Sequence, residues 1–147
     1  MCSLLEKRGF KQYEISNFSK EGYQSRHNLK YWQCDDYLGI GPAAHSCFGG
    51  KRFAVDADLQ SFVSDEKQST YITEETPYTF EEKAMLRLRL SDGLEISDCP
   101  EEKRKFILKK IPMLKKNGYI VFNEKKIALT SKGFLMSNSI IEYLIFE

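Results

Sequence analysis

The C-terminal half of the chain carries apolar side chains at helical spacing between clear start and stop signals, and this pattern limits the folds open to it. The segment "TPYTFEEKAMLRLRLSDG" predicts a helix with Thr79 as its N-cap and acidic residues in its first turn. The segment "PEEKRKFILKKIPMLKKNG" repeats the pattern, with a proline near its start and a glycine after its end. Pro112 predicts either a kink in this second helix or its division into two.

A strand pair and one more helix complete this half. The segment "YIVFNEKKIALT" predicts two short strands joined near Asn123 and Glu124. Thr130 is the predicted cap of a last helix. The order helix, helix, hairpin, helix predicts a winged-helix-like domain over residues 76–147.

Residues 1–75 have a different character. "CSLLEKRGF" followed by "KQYEIS" predicts a helix and then a strand, as in one half of an α/β unit. "RHNLKYW" predicts a short helix, and "DYLGIG" predicts a second, buried strand. "CFGGKRFAV" predicts a hairpin with Gly49 and Gly50 in its turn.

Charge and composition exclude several classes of protein. The 147 residues have a net charge of +1, which gives no global argument for a nucleic-acid or anionic-membrane partner. Residues 76–147 hold 13 basic and 10 acidic side chains, and this small excess of positive charge is weak support for a DNA-binding winged helix. Arg87 and Arg89 are expected to tie their helix to a neighbouring element through carboxylates or carbonyls. With no signal peptide and no run of about 20 apolar residues, the expected location is cytoplasmic.

The cysteines do not have the spacing of a metal site. No two lie two or three residues apart, as thiolates that share a zinc ion or an iron–sulfur cluster usually do. In the reducing cytosol all four are expected to be unpaired thiols. Their positions are Cys2, Cys34, Cys47 and Cys99.

His27 lies in "RHNLKYW" beside the only tryptophan of the chain. A lone histidine is more often a hydrogen-bonded structural residue than a metal ligand. Its neighbours nevertheless suit a flat, anionic macrocycle, because Tyr31 and Trp32 offer π faces while Arg26 and Lys30 can meet carboxylates. On a helix His27 and Tyr31 share one face, at i and i+4. Asn28 orients a ring in one interpretation and caps a turn in the other.

His45 follows two glycines in "GIGPAAHS". Gly39 and Gly41 allow the backbone to approach a ligand closely at a strand end, where α/β sheets bind ligands, although a turn needed only for packing explains them equally well. The full dinucleotide-binding spacing is absent, and no Ser-His-Asp set or nucleophile elbow is present. The sequence therefore predicts no catalytic residue and no metal site.

Several segments resemble one family. "YEISNFSKEGYQSRHNLKYWQCDDYLGIGPAAHS", "FEEKAMLRLRLSDGLE" and "GYIVFNEKKIALTSKGFLMSNSIIEYL" resemble the C-terminal portion of radical SAM proteins similar to oxygen-independent coproporphyrinogen III oxidase, in the branch of HemW-type haem chaperones. The resemblance implies an α/β (α+β) chain. Residues 1–75 would close a partial TIM-like radical SAM barrel, and residues 76–147 would form the winged-helix-like C-terminal domain of the family.

The resemblance also implies a set of functional residues. His27, Asn28, Tyr31 and Trp32 match the H-N-x-x-Y-W signature for haem binding, with His27 as axial ligand or anchor. Three further residues match a strand end near the S-adenosylmethionine pocket; they are Gly39, Gly41 and His45. The family's C-x-x-x-C-x-x-C motif is absent, so the 4Fe-4S cluster and S-adenosylmethionine would belong to a longer parent protein, and this chain is expected to be inactive by itself.

The function implied is that of a haem chaperone, which binds haem or porphyrin and assists its transfer. The acceptor protein, whether soluble or membrane-associated, is not specified by the sequence, nor is the oligomeric state. The alternatives are a part of a true oxygen-independent coproporphyrinogen III oxidase and, ranked below both, a winged-helix nucleic-acid-binding module. The leading expectation includes haem as ligand and no nucleic acid as partner.

Overall fold

The computed structural model describes residues 2–64 and 69–146 and shows a mixed α/β chain. By its internal contacts the chain divides into two compact units. Unit 1 consists of Met1–Gln33 and Phe80–Glu147, and unit 2 consists of Cys34–Thr79. Within the described residues, no helix is long and apolar enough to cross a membrane.

Unit 1 begins with two helices separated by a small hairpin. Its first elements are helix α1 (Cys2–Lys7), strand β1 (Lys11–Gln12), strand β2 (Phe18–Ser19) and helix α2 (Arg26–Gln33). The expected single strand over "KQYEIS" is wrong. β1 pairs with β2 in antiparallel orientation, and Glu14 forms a separate antiparallel bridge with Leu90.

The C-terminal part of unit 1 has the predicted order of helices and strands, with additions. Its elements are α4 (Phe80–Arg87), β6 (Leu94–Glu95), a 3₁₀ turn (Ile96–Asp98), α5 (Glu101–Lys116), β7 (Ile120–Phe122), β8 (Lys126–Leu129), α6 (Ser131–Phe134) and α7 (Ser137–Ile145). The strands form an antiparallel sheet in the order β6-β8-β7.

Two helix predictions in this part required correction. Helix α5 continues as one helix through Pro112, so the alternative of two helices is wrong. The Thr130 hydroxyl caps a helix as predicted, since it accepts a hydrogen bond from the Gly133 amide at 3.0 Å. That helix is the one-turn α6, however, and α7 starts separately at Ser137. Thr130 also donates to the Gly118 carbonyl at 2.7 Å, so it joins the end of β8 to the turn after α5.

The main hydrophobic core lies in unit 1, between its helices and the three-stranded sheet. Its members come from α4, α5, α6, α7 and all three strands. The largest fully buried apolar side chains are Leu88, Ile107, Ile127, Leu144 and Ile145. Gly93 follows α4 with a φ of +76°, and a Cβ there would overlap the Ile127 carbonyl. Only glycine fits this close approach to β8.

Unit 2 is a small antiparallel sheet with one short helix. Its elements are β3 (His45–Phe48), β4 (Lys51–Val55), α3 (Leu59–Val63) and β5 (Thr70–Glu74), and the sheet order is β3-β4-β5. The predicted hairpin is confirmed, because Gly49 and Gly50 have φ values of +60° and +77° between the paired strands.

The predicted buried strand over "DYLGIG" is wrong. Only Tyr37 forms an isolated bridge, with Cys47, while Leu38 is 62% exposed and Ile40 is 92% exposed. The Gly39 amide donates to the side-chain hydroxyl of Ser46 on β3 instead of to a backbone carbonyl, and Gly41 has a φ of +105°. These local bonds hold the segment in a turn against β3.

Candidate functional site

Helix α2 carries the four residues predicted to bind haem, and a local cap explains why it forms. The Asn28 amide donates to the Ser25 hydroxyl at 3.4 Å, and the Leu29 amide donates to the Ser25 carbonyl at 3.0 Å. Ser25 is therefore the N-cap, which corrects the interpretation of Asn28 as a capping residue. The helix ends at Gln33, before Cys34 with its φ of +62°. Asn28 is exposed.

His27 and Tyr31 are in contact on one exposed side of α2. The Tyr31 hydroxyl lies 3.2 Å from Nε2 of His27, and the two rings meet edge to face with centroids 5.1 Å apart at 86°. This is the i, i+4 pairing predicted from the sequence. The pair forms a small aromatic surface that includes an imidazole ring on an exposed helix.

The hydrogen bond between these two residues sets a condition for metal ligation. If the Tyr31 hydroxyl donates to Nε2, it occupies the lone pair that an iron ion would take. Ligation through Nε2 then requires Tyr31 to turn away, whereas Nδ1 makes no hydrogen bond with Tyr31. His27 thus has one ring nitrogen engaged with Tyr31 and a second available for a different contact.

Trp32 faces the interior of unit 1, where α2 packs against α4. The guanidinium carbon of Arg89 lies 5.7 Å from the Trp32 ring centroid, and its Nη2 donates to Oδ1 of Asn138 on α7 at 3.3 Å. Arg89 therefore ties the turn after α4 to α2 and α7. The contact with Asn138 is made to a carbonyl oxygen, as predicted, and the contact with the Trp32 ring was not predicted. The link from Trp32 to Arg89 has no signal in local spacing, because only the packing of α2 on α4 creates it.

The residues predicted near an S-adenosylmethionine pocket lie in unit 2. A Cβ at Gly39 would overlap the His45 carbonyl, and the Gly39 amide bonds to Ser46 at 3.0 Å. The side chain of His45 is exposed at the start of β3. The geometry accounts for Gly39 through packing, so a ligand role for these three residues stays a prediction.

A second cluster in unit 2 surrounds Tyr78. The guanidinium of Arg52 lies 5.2 Å from the ring centroid of Tyr78 and also pairs with Glu74 at 2.7 Å. Burial, followed by a hydrogen bond with the Cys47 thiol, raises the pKa of Tyr78 far above its ordinary value, although Arg52 acts in the opposite direction. The phenol therefore stays protonated to a higher pH than that of an exposed tyrosine.

The part of the chain that the structure describes contains no group of three or more histidine, cysteine or acidic side chains placed to hold a metal ion. All four cysteines are thiols, and Cys47 and Cys99 are buried. Burial raises the pKa of the Cys99 thiol, which makes it a poor nucleophile.

Comparisons with known proteins agree on one group of relatives. No family model matches the chain. It is 33% identical over 156 residues to the haem chaperone HemW of Bacillus subtilis, covering all of this chain and 41% of that protein. It is 30% identical to HemW of Haemophilus influenzae, covering 98% of this chain and 40% of the relative. The bovine mitochondrial radical S-adenosyl methionine domain-containing protein 1 is 54% identical over 66 residues, which are 43% of this chain and 15% of that protein.

One solved structure shares the fold. Coproporphyrinogen III oxidase (HemN) of Escherichia coli, described as a radical SAM enzyme, superposes with a TM-score of 0.58 over 97% of this chain and 38% of its own, at 17% identity. The chain spans about 40% of the length of the curated haem chaperones it matches. It is homologous to the C-terminal region of these proteins, as the sequence segments predicted.

Proposed function

We propose that this chain is the haem-handling C-terminal part of a haem chaperone related to the HemW proteins. Haem or porphyrin would bind on helix α2, with His27 as the iron ligand, and would pass from there to an acceptor protein. The observation that carries the proposal is the exposed contact between His27 and Tyr31 on α2. Homology to proteins named haem chaperones supports the choice of ligand.

The side chains of α2 fit a flat, dianionic ligand. His27 supplies an imidazole nitrogen, the axial donor that haem iron commonly takes in proteins. Tyr31 holds the imidazole ring through its hydroxyl and offers an aromatic edge. Arg26 and Lys30 are exposed on the same helix and can meet propionates. Exposure of His27 suits a carrier, because a ligand that must be passed on cannot be sealed in a core.

The finer architecture belongs to this proposal. Residues 1–75 would close a partial TIM-like radical SAM barrel, and residues 76–147 would form a winged-helix-like domain. Gly39, Gly41 and His45 would lie near an S-adenosylmethionine pocket. The 4Fe-4S cluster and S-adenosylmethionine would be held by other parts of a longer protein, which the coverage of about 40% of the relatives supports.

A haem titration tests the function directly. Haem added to the chain should give a shifted and sharpened Soret band, and His27→Ala should weaken binding by at least about tenfold, which corresponds to about 1.4 kcal/mol. His45→Ala is the matched control, since His45 is equally exposed but lies in unit 2, and its titration should equal that of the original chain. Identical spectra and affinities for the original chain and His27→Ala would refute the role of His27.

A second candidate function is a part of a true oxygen-independent coproporphyrinogen III oxidase. The observation in its favour is the shared fold with HemN over 97% of the chain. The test is an assay of a longer protein that includes this chain, with reductant, S-adenosylmethionine and coproporphyrinogen III. Formation of vinyl product would favour the oxidase, and its absence together with haem binding would favour the chaperone.

A further inference from the structure

We propose that Arg89 anchors one propionate of the bound porphyrin, and that the cleft between α4 and α7 receives this arm. The inference rests on the proposed haem binding and extends it from α2 to a second wall of the site. Nothing in the sequence motif of α2 specifies such a wall, because Arg89 lies in the turn that follows α4.

The guanidinium of Arg89 has unused hydrogen-bonding capacity. Of its five N–H donors, one from Nη2 binds Asn138 at 3.3 Å. Its Nε is buried and has no hydrogen-bond partner, and among the described residues Arg89 forms no ion pair. Arg87, two residues earlier in the chain, differs because its guanidinium lies 3.7 Å from the carboxylate of Asp92. A half-buried cation without a counter-ion favours a carboxylate ligand, which arginine binds through two parallel hydrogen bonds.

The cleft beside Arg89 suits an amphipathic carboxylate. It has a volume of about 440 Å³, within the usual range for small-molecule sites. Its walls are apolar at Met85, Ile141 and Phe146, with Arg89 and Asn138 as polar groups. Such a lining accommodates a hydrocarbon arm that ends in one negative charge.

Glu142 also lines the cleft, and its exposed carboxylate opposes ligands with dense negative charge. A polyphosphate would meet this repulsion with only one arginine to offset it. A single propionate needs only the guanidinium. The charge pattern therefore selects a monocarboxylate arm over a nucleotide or an inorganic polyphosphate.

Trp32 connects this cleft to the iron-binding side of α2. Its ring contacts Arg89, and it lies five positions after His27 on α2, a rise of about 7.5 Å. A porphyrin and its propionate arms extend beyond that rise. The iron of one ligand can thus contact His27 near the start of α2, and a propionate arm of the same ligand can reach the Arg89 guanidinium near the end of that helix.

The test uses Trp32, the only tryptophan of the chain, as the reporter. Quenching of its fluorescence is measured with metal-free protoporphyrin IX and with the dimethyl ester of that porphyrin. Removing the iron removes the contribution of His27, and esterification removes the propionate charge. Arg89→Gln should bind the free diacid about tenfold more weakly, Arg89→Lys should show a smaller loss, and Arg87→Gln should bind as the original chain does.

The outcomes separate this inference from the proposed function. If Arg89→Gln binds the diacid more weakly but binds the dimethyl ester with unchanged affinity, the result supports Arg89 as the propionate anchor. This holds whether or not His27→Ala changes the affinity for iron porphyrin. Equal affinity of Arg89→Gln and the original chain for the diacid overturns it. An equal loss for diacid and ester also overturns it, because the site would then have lost its shape and not its charge. Absence of any porphyrin binding by the original chain overturns both proposals.

Discussion

Unit 1 and unit 2 differ sharply in how they bury apolar side chains. In unit 1, residues from four helices and a sheet form a continuous core in which Leu88, Ile107 and Leu144 are at most 1% exposed. Among the described residues of unit 2, the buried apolar side chains are only Cys47, Ala54 and Val55. Every residue of β5 is exposed. The comparison teaches that unit 1 supplies most of the stability of the chain.

The energetic consequence follows from burial. Each large apolar side chain that is fully buried contributes about 1.5–3 kcal/mol relative to exposure, so unit 1 holds many such contributions and unit 2 few. We expect unit 1 to determine the cooperative unfolding transition, and unit 2 to open at a lower free energy. The haem-binding residues proposed on α2 lie in the stable unit.

The largest expected effect is the removal of a core side chain from unit 1. Leu144→Ala should lower the free energy of unfolding by about 2–5 kcal/mol, because a cavity replaces a fully buried side chain. Leu38→Ala, in the exposed turn of unit 2, should change it by less than about 0.5 kcal/mol. Urea denaturation followed by circular dichroism measures both. Equal losses for the two variants would remove the distinction between the units.

A smaller effect is expected where the backbone comes close to a strand. Gly93→Ala should cost about 2–3 kcal/mol, because its φ is +76° and the new Cβ meets the Ile127 carbonyl. Gly118→Ala is the control within unit 1, since its φ is +70° but nothing lies within 4 Å of a Cβ, and it should cost about 1 kcal/mol.

Gly39→Ala extends this test to unit 2. Its Cβ would overlap the His45 carbonyl, so the turn before β3 must shift, yet the main unfolding transition should stay near that of the original chain. Thermal unfolding measures the loss of stability in each of the three glycine variants and so ranks them. A loss for Gly39→Ala as large as that for Gly93→Ala would show that the two units unfold as one.

The smallest effect concerns the two buried thiols, one in each unit. Cys99 in unit 1 is 2% exposed and Cys47 in unit 2 is 1% exposed, so static burial predicts equal protection. If unit 2 opens more easily, Cys47 should react with a maleimide about tenfold faster, which corresponds to about 1.4 kcal/mol in opening free energy. Mass spectrometry of the peptides, in variants that lack Cys2 and Cys34, measures the two rates. A faster reaction at Cys99 would reverse the proposed ranking.

The fold was predictable where a local signal agrees with the tertiary structure. The glycine pair at 49 and 50 forces a hairpin, and Thr130 caps a helix, both from local chemistry. The prediction for the segment with Leu38 and Ile40 was wrong because its apolar composition suggested a buried strand. The hydrogen bond from the Gly39 amide to the Ser46 hydroxyl instead holds the segment in an exposed turn. Helix α5 passes through Pro112 because tertiary packing of Ile111 and Leu114 outweighs one lost hydrogen bond.

The candidate site likewise contains one contact that the sequence predicts and one that it does not. The contact of His27 with Tyr31 follows from helical periodicity, so the sequence predicts it. The contact of Trp32 with Arg89 depends on α2 lying against α4, and no spacing rule connects residues so far apart in the chain. Local chemistry therefore identifies the contact of His27 with Tyr31, and only the fold identifies the contact of Trp32 with Arg89.

The path of the chain has a consequence for how such a protein can diversify. The backbone leaves unit 1 at the end of α2 and returns at the start of α4, two helices that pack against each other. Relative to unit 1, the segment Cys34–Thr79 acts as a long loop that joins α2 to α4. Doubling the length of a loop costs only about 0.6 kcal/mol in closure entropy. Insertions, deletions or replacement of that segment can thus accumulate over evolution while the pair of helices α2 and α4 keeps its geometry.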